Sequence, residues 1–164
     1  MIRPMEKSDI PRVAEINVFG WRCAYRGIVP DEHMFKTRLV TTHMEKLIER
    51  WDNNNGFEGY VYDDGIVKAI LNMGPCPEED KAGAFELGVI YVDPCFKGEG
   101  IGTALALFCE KIAAERGYKE IILWTFEKNA PARAFYEKLG YKTDGKTMLV
   151  GPYEAVGVGY CKNI

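Results

Sequence analysis

Three glycines in alternation, Gly98, Gly100 and Gly102, lie between an apolar run and a helical pattern, an arrangement suited to seating a phosphate. The run before them, Leu87-Gly88-Val89-Ile90-Tyr91-Val92, is rich in β-branched and aromatic residues and closes at Asp93-Pro94. That is the composition of a buried strand ended by a turn. After the glycines, Ile101, Leu105, Phe108 and Ile112 recur at the spacing of one helix face. The first N–H groups of a helix lack internal partners, and the macrodipole adds about half a positive charge there. Glycines let the backbone approach a ligand with no Cβ in the way. Together these features suit a phosphate or diphosphate.

Three glycine codes compete for the stretch. A P-loop requires GxxxxGK[ST], but Thr103 follows Gly102 with no lysine between. The dinucleotide fingerprint GxGxxG fits at Gly98 and Gly100 and fails at Thr103. The third code, Q/R-x-x-G-x-G/A, matches as Lys97-Gly98-Glu99-Gly100-Ile101-Gly102, with lysine at the first position. Glycine-bearing turns before helices are common, so this segment alone leaves a plain turn as an equal reading.

A second segment follows about 30 residues later. Asn129-Ala130-Pro131-Ala132-Arg133-Ala134-Phe135-Tyr136-Glu137-Lys138-Leu139-Gly140-Tyr141 fits N-x-x-A-x-x-F-Y-x-x-x-G-F/Y. Asn129 is a natural helix cap with Pro131 in the first turn. Asn129 and Tyr136, two turns apart, project on one face. Taken alone, Tyr136 reads equally as an amphipathic core residue. In order and spacing, the two segments resemble the GNAT superfamily of acyl-CoA-dependent N-acetyltransferases, over roughly residues 84 to 141.

The resemblance implies roles for named residues. Main-chain amides of Lys97 to Thr103 (through Gly98, Glu99, Gly100, Ile101 and Gly102) would wrap the diphosphate of acetyl-CoA, and Asn129 would lie at the same cofactor site. N–H groups near Ile90 or Tyr91 would hold the acetyl carbonyl where charge builds. The main chain of Val92 would pair with pantetheine as an added strand would. Tyr136 would protonate the departing sulfur. The amine must lose a proton to attack, and Glu86, eleven residues before Lys97, is the base candidate; its other reading is a polar strand-edge residue. Burial in an apolar cleft would raise its pKa and favour the role. Lys128 and Arg133 are candidates for a 3′-phosphate or are simply solvated. Trp21, Tyr25 and Arg26 are acceptor-pocket candidates, although Trp21 and Tyr25, four apart, read equally as core. Arg22 or Arg26 turned inward would favour a carboxylate or phosphate on the acceptor.

The elements that must position these residues follow from pattern and punctuation. A short strand spans Met1 to Arg3, and Ser8 or Asp9 caps a first helix with Pro11 in its first turn, running to about Tyr25. Thr41 to Trp51 forms a second amphipathic helix ended by Asn53-Asn54-Asn55-Gly56. Phe57 to Tyr62 and Ile66 to Met73 flank the hairpin signal Asp63-Asp64-Gly65. The loop from Gly74 to Gly83 carries Glu78, Glu79 and Asp80 and reads as a solvated turn. After the glycine loop a helix runs to Arg116-Gly117, then a doubly covered strand from Ile121 to Phe126. Strand, crossover helix and strand imply one parallel pair. The last helix spans Asn129 to Leu139, and Tyr141 to Val150 pairs with Glu154 to Cys161 across a bend at Gly151-Pro152. The expected fold is mixed α/β and GNAT-like. Its central sheet is mostly antiparallel with one parallel splayed strand pair, flanked by about four helices, in a single domain over residues 1–164.

With 164 residues, 47% hydrophobic and 27% charged, the composition is that of a soluble globular chain. A net charge of −3 gives no support to nucleic-acid binding. No apolar run reaches the roughly 20 residues needed to span a bilayer, and MIRPMEKSDI lacks the apolar core of a signal peptide. A cytoplasmic location and no membrane association are therefore expected. Cys23, Cys76, Cys95, Cys109 and Cys161 form no CxxC pair, so no metal is expected. Nothing in the sequence links Cys95 to His33 or His43 as a nucleophile would require, and it reads as a turn residue.

The leading expectation is acetyl transfer from acetyl-CoA to a primary amine, on a small molecule or on a protein N-terminus or lysine, by direct attack in a ternary complex. A non-catalytic acyl-CoA sensor on the same fold is the alternative, and a Rossmann-like nucleotide binder is disfavoured by the failed fingerprints. The resemblance also allows a homodimer through the closing strands.

Overall fold

In a computed structural model that describes residues 1–53, 58–78 and 81–164, the two periodicities of the sequence separate into strands and helices. In chain order they are β1 (Ile2–Pro4), α1 (Ile10–Tyr25), α2 (Val40–Asp52), β2 (Gly59–Asp63), β3 (Val67–Pro75), β4 (Phe85–Val92), α3 (Ile101–Glu115), β5 (Glu120–Phe126), α4 (Ala130–Lys138), β6 (Lys142–Val150) and β7 (Ala155–Asn163). The strands form one seven-stranded sheet in the order β1-β2-β3-β4-β5-β7-β6. Every neighbouring pair is antiparallel except β4 and β5. The mixed α/β architecture with one splayed parallel pair is the one expected. The turn Asn54–Gly56, the strand start at Phe57, and Glu79 and Asp80 lie outside the described residues.

Each face of the sheet carries its own core. On one face, Leu105, Cys109 and Ala113 of α3 and Tyr136 of α4 pack on Leu71, Phe85, Leu87, Ile121 and Leu123. On the other, Ile10, Val13 and Ile16 of α1 and Leu47 of α2 pack on Val61 and Ile70. Strand β4 serves both faces through a change of phase. Asn72 pairs with Val89 but Met73 pairs with Leu87, so Gly88 is an extra residue, a β-bulge. Phe85 and Leu87 face α3; beyond the bulge Ile90 and Val92 do so, while Val89 and Tyr91 turn towards α1.

Polar contacts fasten the first elements. Arg3 pairs with Asp9 at 2.7 Å and Asp63 at 2.8 Å, tying β1 to the start of α1 and the end of β2. A 3-10 turn over Lys7–Asp9 precedes α1, and the capping box joins Glu6 with Asp9 rather than using Ser8. Between α1 and α2, His33–Thr37 forms a π-helical turn that seats buried Met34. No apolar period announces it, because a side chain from elsewhere supports it: Arg22 donates to the carbonyls of Met34 (3.1 Å) and Arg38 (2.9 Å). Tyr141, expected to open a strand, instead completes the end of α4, its amide donating to Tyr136 O at 3.1 Å. No helix among the described residues is long and apolar enough to cross a membrane.

Close contact between α1 and β4 depends on Gly20, where a Cβ would lie 2.9 Å from Tyr91 Cβ. Gly20→Ala is expected to destabilise by about 2 kcal/mol through over-packing. In a domain of this size that is a melting-temperature drop of about 4–8 °C by calorimetry; an unchanged value would show that α1 can retreat freely.

Candidate active site

Strands β4 and β5 are hydrogen-bonded over two residue pairs only, Phe85–Ile121 and Glu86–Ile122, and then diverge. The β5-facing edge of β4 beyond Glu86 has no strand partner, whereas β5 continues beside β7 as far as Phe126–Gly157. Buried main-chain groups left without partners are costly, so the open edge is suited to a ligand that supplies amide groups in strand fashion. The bulge at Gly88 supports the divergence by adding twist to one strand.

A cavity of about 590 Å³ fills this wedge. Its walls are Gly88 to Val92 of β4, Trp124 and Thr125 of β5, the start of α3, and the α4 face carrying Asn129 and Tyr136. Lys97, Gly98, Gly100, Ile101, Gly102 and Thr103 line one end. Gly98 and Gly100 have φ of 89° and 79°, the left-handed region where other residues are strained. Among the described residues, the amides of Gly100 through Thr103 make no hydrogen bond, so the α3 N-terminus presents unused donors to the cavity. Gly102 sits against Phe135 of α4, where a Cβ would make ordinary contact at 3.6 Å. Glu99 does not line the cavity; its carboxylate turns to Lys68 at 3.5 Å.

The approach to this loop is anchored from two sides. Asp93 accepts from the Cys95 amide at 2.8 Å and pairs with Arg12 of α1. Arg12 also donates to Val67 O at 3.0 Å, linking α1, β3 and the loop. Burial would push the Asp93 pKa up, but the Cys95 amide and Arg12 together hold it below the usual carboxylate value. The Cys95 thiol is raised by its hydrogen bond to Asp93, which disfavours the thiolate a nucleophile needs.

At the other end lie three tyrosines. Tyr136 is 9% exposed, and burial first, then Tyr25 and Cys109, raises its pKa well above the usual phenol, so it stays protonated at neutral pH. Tyr91 donates to the hydroxyl of Tyr25 at 3.3 Å, and both line the cavity. Burial also raises both their pKa values. Asn129 is buried and accepts from the Ala132 amide at 3.3 Å, fixing the start of α4.

Glu86 lies just outside the cavity wall, at the last rung before the strands part, on the face of β4 that turns towards α1. Its carboxyl is half-buried, and burial first, then the Glu78 charge, raises its pKa. Glu78 accepts from the Trp124 indole N–H at 2.7 Å, which joins this acidic pair to the cavity lining.

Other sequence candidates lie apart from the cavity. Trp21 is buried among Val29, Met34 and Phe126, as its core reading holds. Arg26 is exposed and Arg22 serves the carbonyls of Met34 and Arg38, so neither is the inward cation. Arg133 donates to the Tyr160 hydroxyl (2.9 Å) and Glu127 O (3.2 Å), and Lys128 is exposed. Tyr25 and Tyr91, both named from the sequence, line the cavity, but sequence reasoning did not join them and missed Trp124 and Thr125. One available signal was Gly20, since a glycine inside a helical pattern often marks close approach.

Residues 21–141 match the protein family described as the acetyltransferase (GNAT) family. Over 86% of its length the chain is 28% identical to an uncharacterised N-acetyltransferase of Methanocaldococcus jannaschii, spanning 60% of that protein. It is 25% identical to the spermidine N(1)-acetyltransferase of Thermoplasma acidophilum, with 91% of this chain and 94% of that protein covered. The fold is like that of the PaiA N-acetyltransferase of Thermoplasma acidophilum solved with coenzyme A: TM-score 0.78 at 21% identity, covering 100% of this chain and 98% of that one.

Because Asp93 holds two donors at once, Asp93→Ala is expected to destabilise the fold by about 1–3 kcal/mol and to speed hydrogen exchange at residues 94–100. With its pKa lowered in the fold, the stability Asp93 contributes is present above the unfolded carboxylate pKa. It is lost as pH falls through the folded value. The variant should therefore lose less stability than wild type on acidification below about pH 4; parallel profiles would rule the anchor out.

Proposed function

Since the chain belongs to the GNAT acetyltransferase family, we propose that it moves an acetyl group from acetyl-CoA to a primary amine by direct attack in a ternary complex. The acceptor is a small molecule or a protein N-terminus or lysine. One observation carries this reading: a single cavity runs from the unused amides at the start of α3, along the open edge of β4, to the protonated phenol of Tyr136. Such a cavity suits a diphosphate joined to an amide-bearing thioester arm.

In this reading the amides of Gly98 to Thr103 hold the diphosphate, with Lys97 adding charge and Asn129 fixing the adjoining helix. Acetyl-CoA supplies an activated acyl group and a thiolate leaving group. The free edge of β4 from Val89 to Val92 takes the amides of the arm, and its N–H groups near Ile90 and Tyr91 stabilise the developing oxyanion. Tyr136 carries a proton at neutral pH and donates it to the leaving sulfur. Glu86 accepts the amine proton through water, since its carboxyl stands outside the cavity wall while facing the α1 side. Tyr25 lines the acceptor end.

A thiol-release assay with an amine panel tests the proposal. Amine-dependent CoA release is expected, whereas CoA binding without release would favour a sensor. Tyr136→Phe should lower kcat about 100-fold and leave the CoA dissociation constant, read by calorimetry, almost unchanged. Gly100→Ala should do the reverse, weakening CoA by about 5- to 30-fold through its left-handed backbone. For Glu86→Gln the readout is pH. The carboxylate is the active form, so wild-type kcat/KM should fall as pH drops through a pKa above the ordinary glutamate range. The variant should lose that limb; retention of it would assign the base elsewhere.

A further inference from the structure

Among the arginines, Arg38 stands apart. Arg3, Arg12 and Arg116 each pair with carboxylates, and Arg133 and Arg22 serve a hydroxyl and carbonyls. Arg38 is half-buried between α1 and α2, and no carboxylate among the described residues pairs with it. Its Nη2 donates to Asn17 Oδ1 at 2.9 Å, and its guanidinium stacks 4.4 Å from the centre of the Trp21 ring. Its Nε is buried and finds no acceptor. The stack covers one face of the cation but satisfies none of its in-plane donors.

The surroundings do not neutralise this charge. The ionisable groups that act on the guanidinium are the phenols of Tyr91, Tyr153 and Tyr25, and burial raises the pKa of Tyr91 and Tyr25 so that these two stay protonated. His43 nearby is pushed down to about 4 by burial, then by Arg38, Arg50 and Lys46, so at neutral pH it is uncharged and offers no second cation. Burial also pulls the guanidinium's own pKa down, yet an arginine remains charged in proteins. A buried cation without a counter-charge is expensive, and its in-plane donors match a carboxylate or phosphate.

Position gives the charge a use. Arg38 stands behind the cavity wall: its Trp21 partner meets Tyr25 edge to face at 5.1 Å, and Tyr25 and Tyr91 line the acceptor end of the cavity. Tyr153, from the β6–β7 connection, meets the His33 ring edge to face at 4.4 Å and the Trp21 ring at 6.2 Å, so three separate segments converge on this point. Glu86 sits on the same face of β4 as Tyr91, on the far side of the bulge.

Resting on the acetyl-transfer reading above, we infer that Arg38 is the anchor for an anionic group on the acceptor: the substrate is a primary amine that also carries a carboxylate or a phosphate. The anion lies at Arg38 with the hydroxyls of Tyr25 and Tyr153, and the amino group points into the cavity towards the thioester. The inward cation that Arg22 and Arg26 do not supply comes from the segment after the π-helical turn.

Matched acceptors test this. Amino acids and aminoalkyl phosphates are compared with their amides, methyl esters and alcohols, and with spermidine as a purely cationic amine. Wild type should prefer an anionic acceptor by about 10- to 100-fold in kcat/KM, and the better anion, carboxylate or phosphate, identifies the source. In Arg38→Gln that ratio should collapse towards one through KM, with Arg38→Lys recovering part of it. Separately, inorganic phosphate added to CoA-saturated enzyme should raise the melting temperature of wild type and not of Arg38→Gln. Equal turnover of neutral, cationic and anionic amines, or a ratio and phosphate shift indifferent to Arg38, would overturn the inference. If no amine is acetylated, the acetyl-transfer reading fails while the phosphate titration still decides Arg38. The wild-type preference and titration need no variant, so poor folding of Arg38→Gln leaves the test intact.

Discussion

Hydrogen bonding between β4 and β5 stops after Glu86–Ile122, and the main cavity exists because of that interruption. A continuous sheet would have left no room between the strands and no open main-chain edge. Its neighbours compensate: β5 keeps a full antiparallel partner in β7, and β4 keeps one in β3. The wedge is thus held open by pairing on its outer sides. Helix α4 closes it over one face, through Tyr136, which belongs to the same core as Leu105 and Leu123. A residue that lines the cavity and also packs in the core is held in position by the stability of the whole domain.

The glycine loop shows the opposite economy of means. Its backbone conformation is fixed by glycines at positive φ, and its amides are left unused, so the support must come from outside the loop. Asp93 and Arg12 supply it on the strand side, and Gly102 with Phe135 on the helix side. Rigid flanks around an unsatisfied segment keep donors available without letting them turn inward.

The sequence was most legible where local chemistry carries the structure. The strand ending at Asp93, the glycine turn and the Asn129 cap each depend on residues adjacent in the chain, and all three stand as read. Legibility failed where support comes from a distance. The π-helical turn is held by Arg22 from another element, and Tyr141 was claimed by a helix end rather than a strand. Arg38 was invisible because the want of a carboxylate partner among the described residues shows only in the folded chain. Glu86 shows an intermediate case: its pKa rises with burial, but its place outside the cavity wall follows from where β4 and β5 part, which no periodicity announced.

That bulge carries a last consequence. Since the bulge at Gly88 sets which of Val89, Ile90, Tyr91 and Val92 looks towards α3 and which towards α1, the strand encodes information in its backbone shape as well as in its residue types. Flattening the bulge without losing a residue would reverse the assignment, sending Tyr91 towards the α3 side and Ile90 towards α1, whereas deleting Gly88 would leave plain alternation with each side chain on its present face. The order of apolar residues along β4 therefore suits its two cores only together with the irregularity at Gly88, a constraint that composition never expresses.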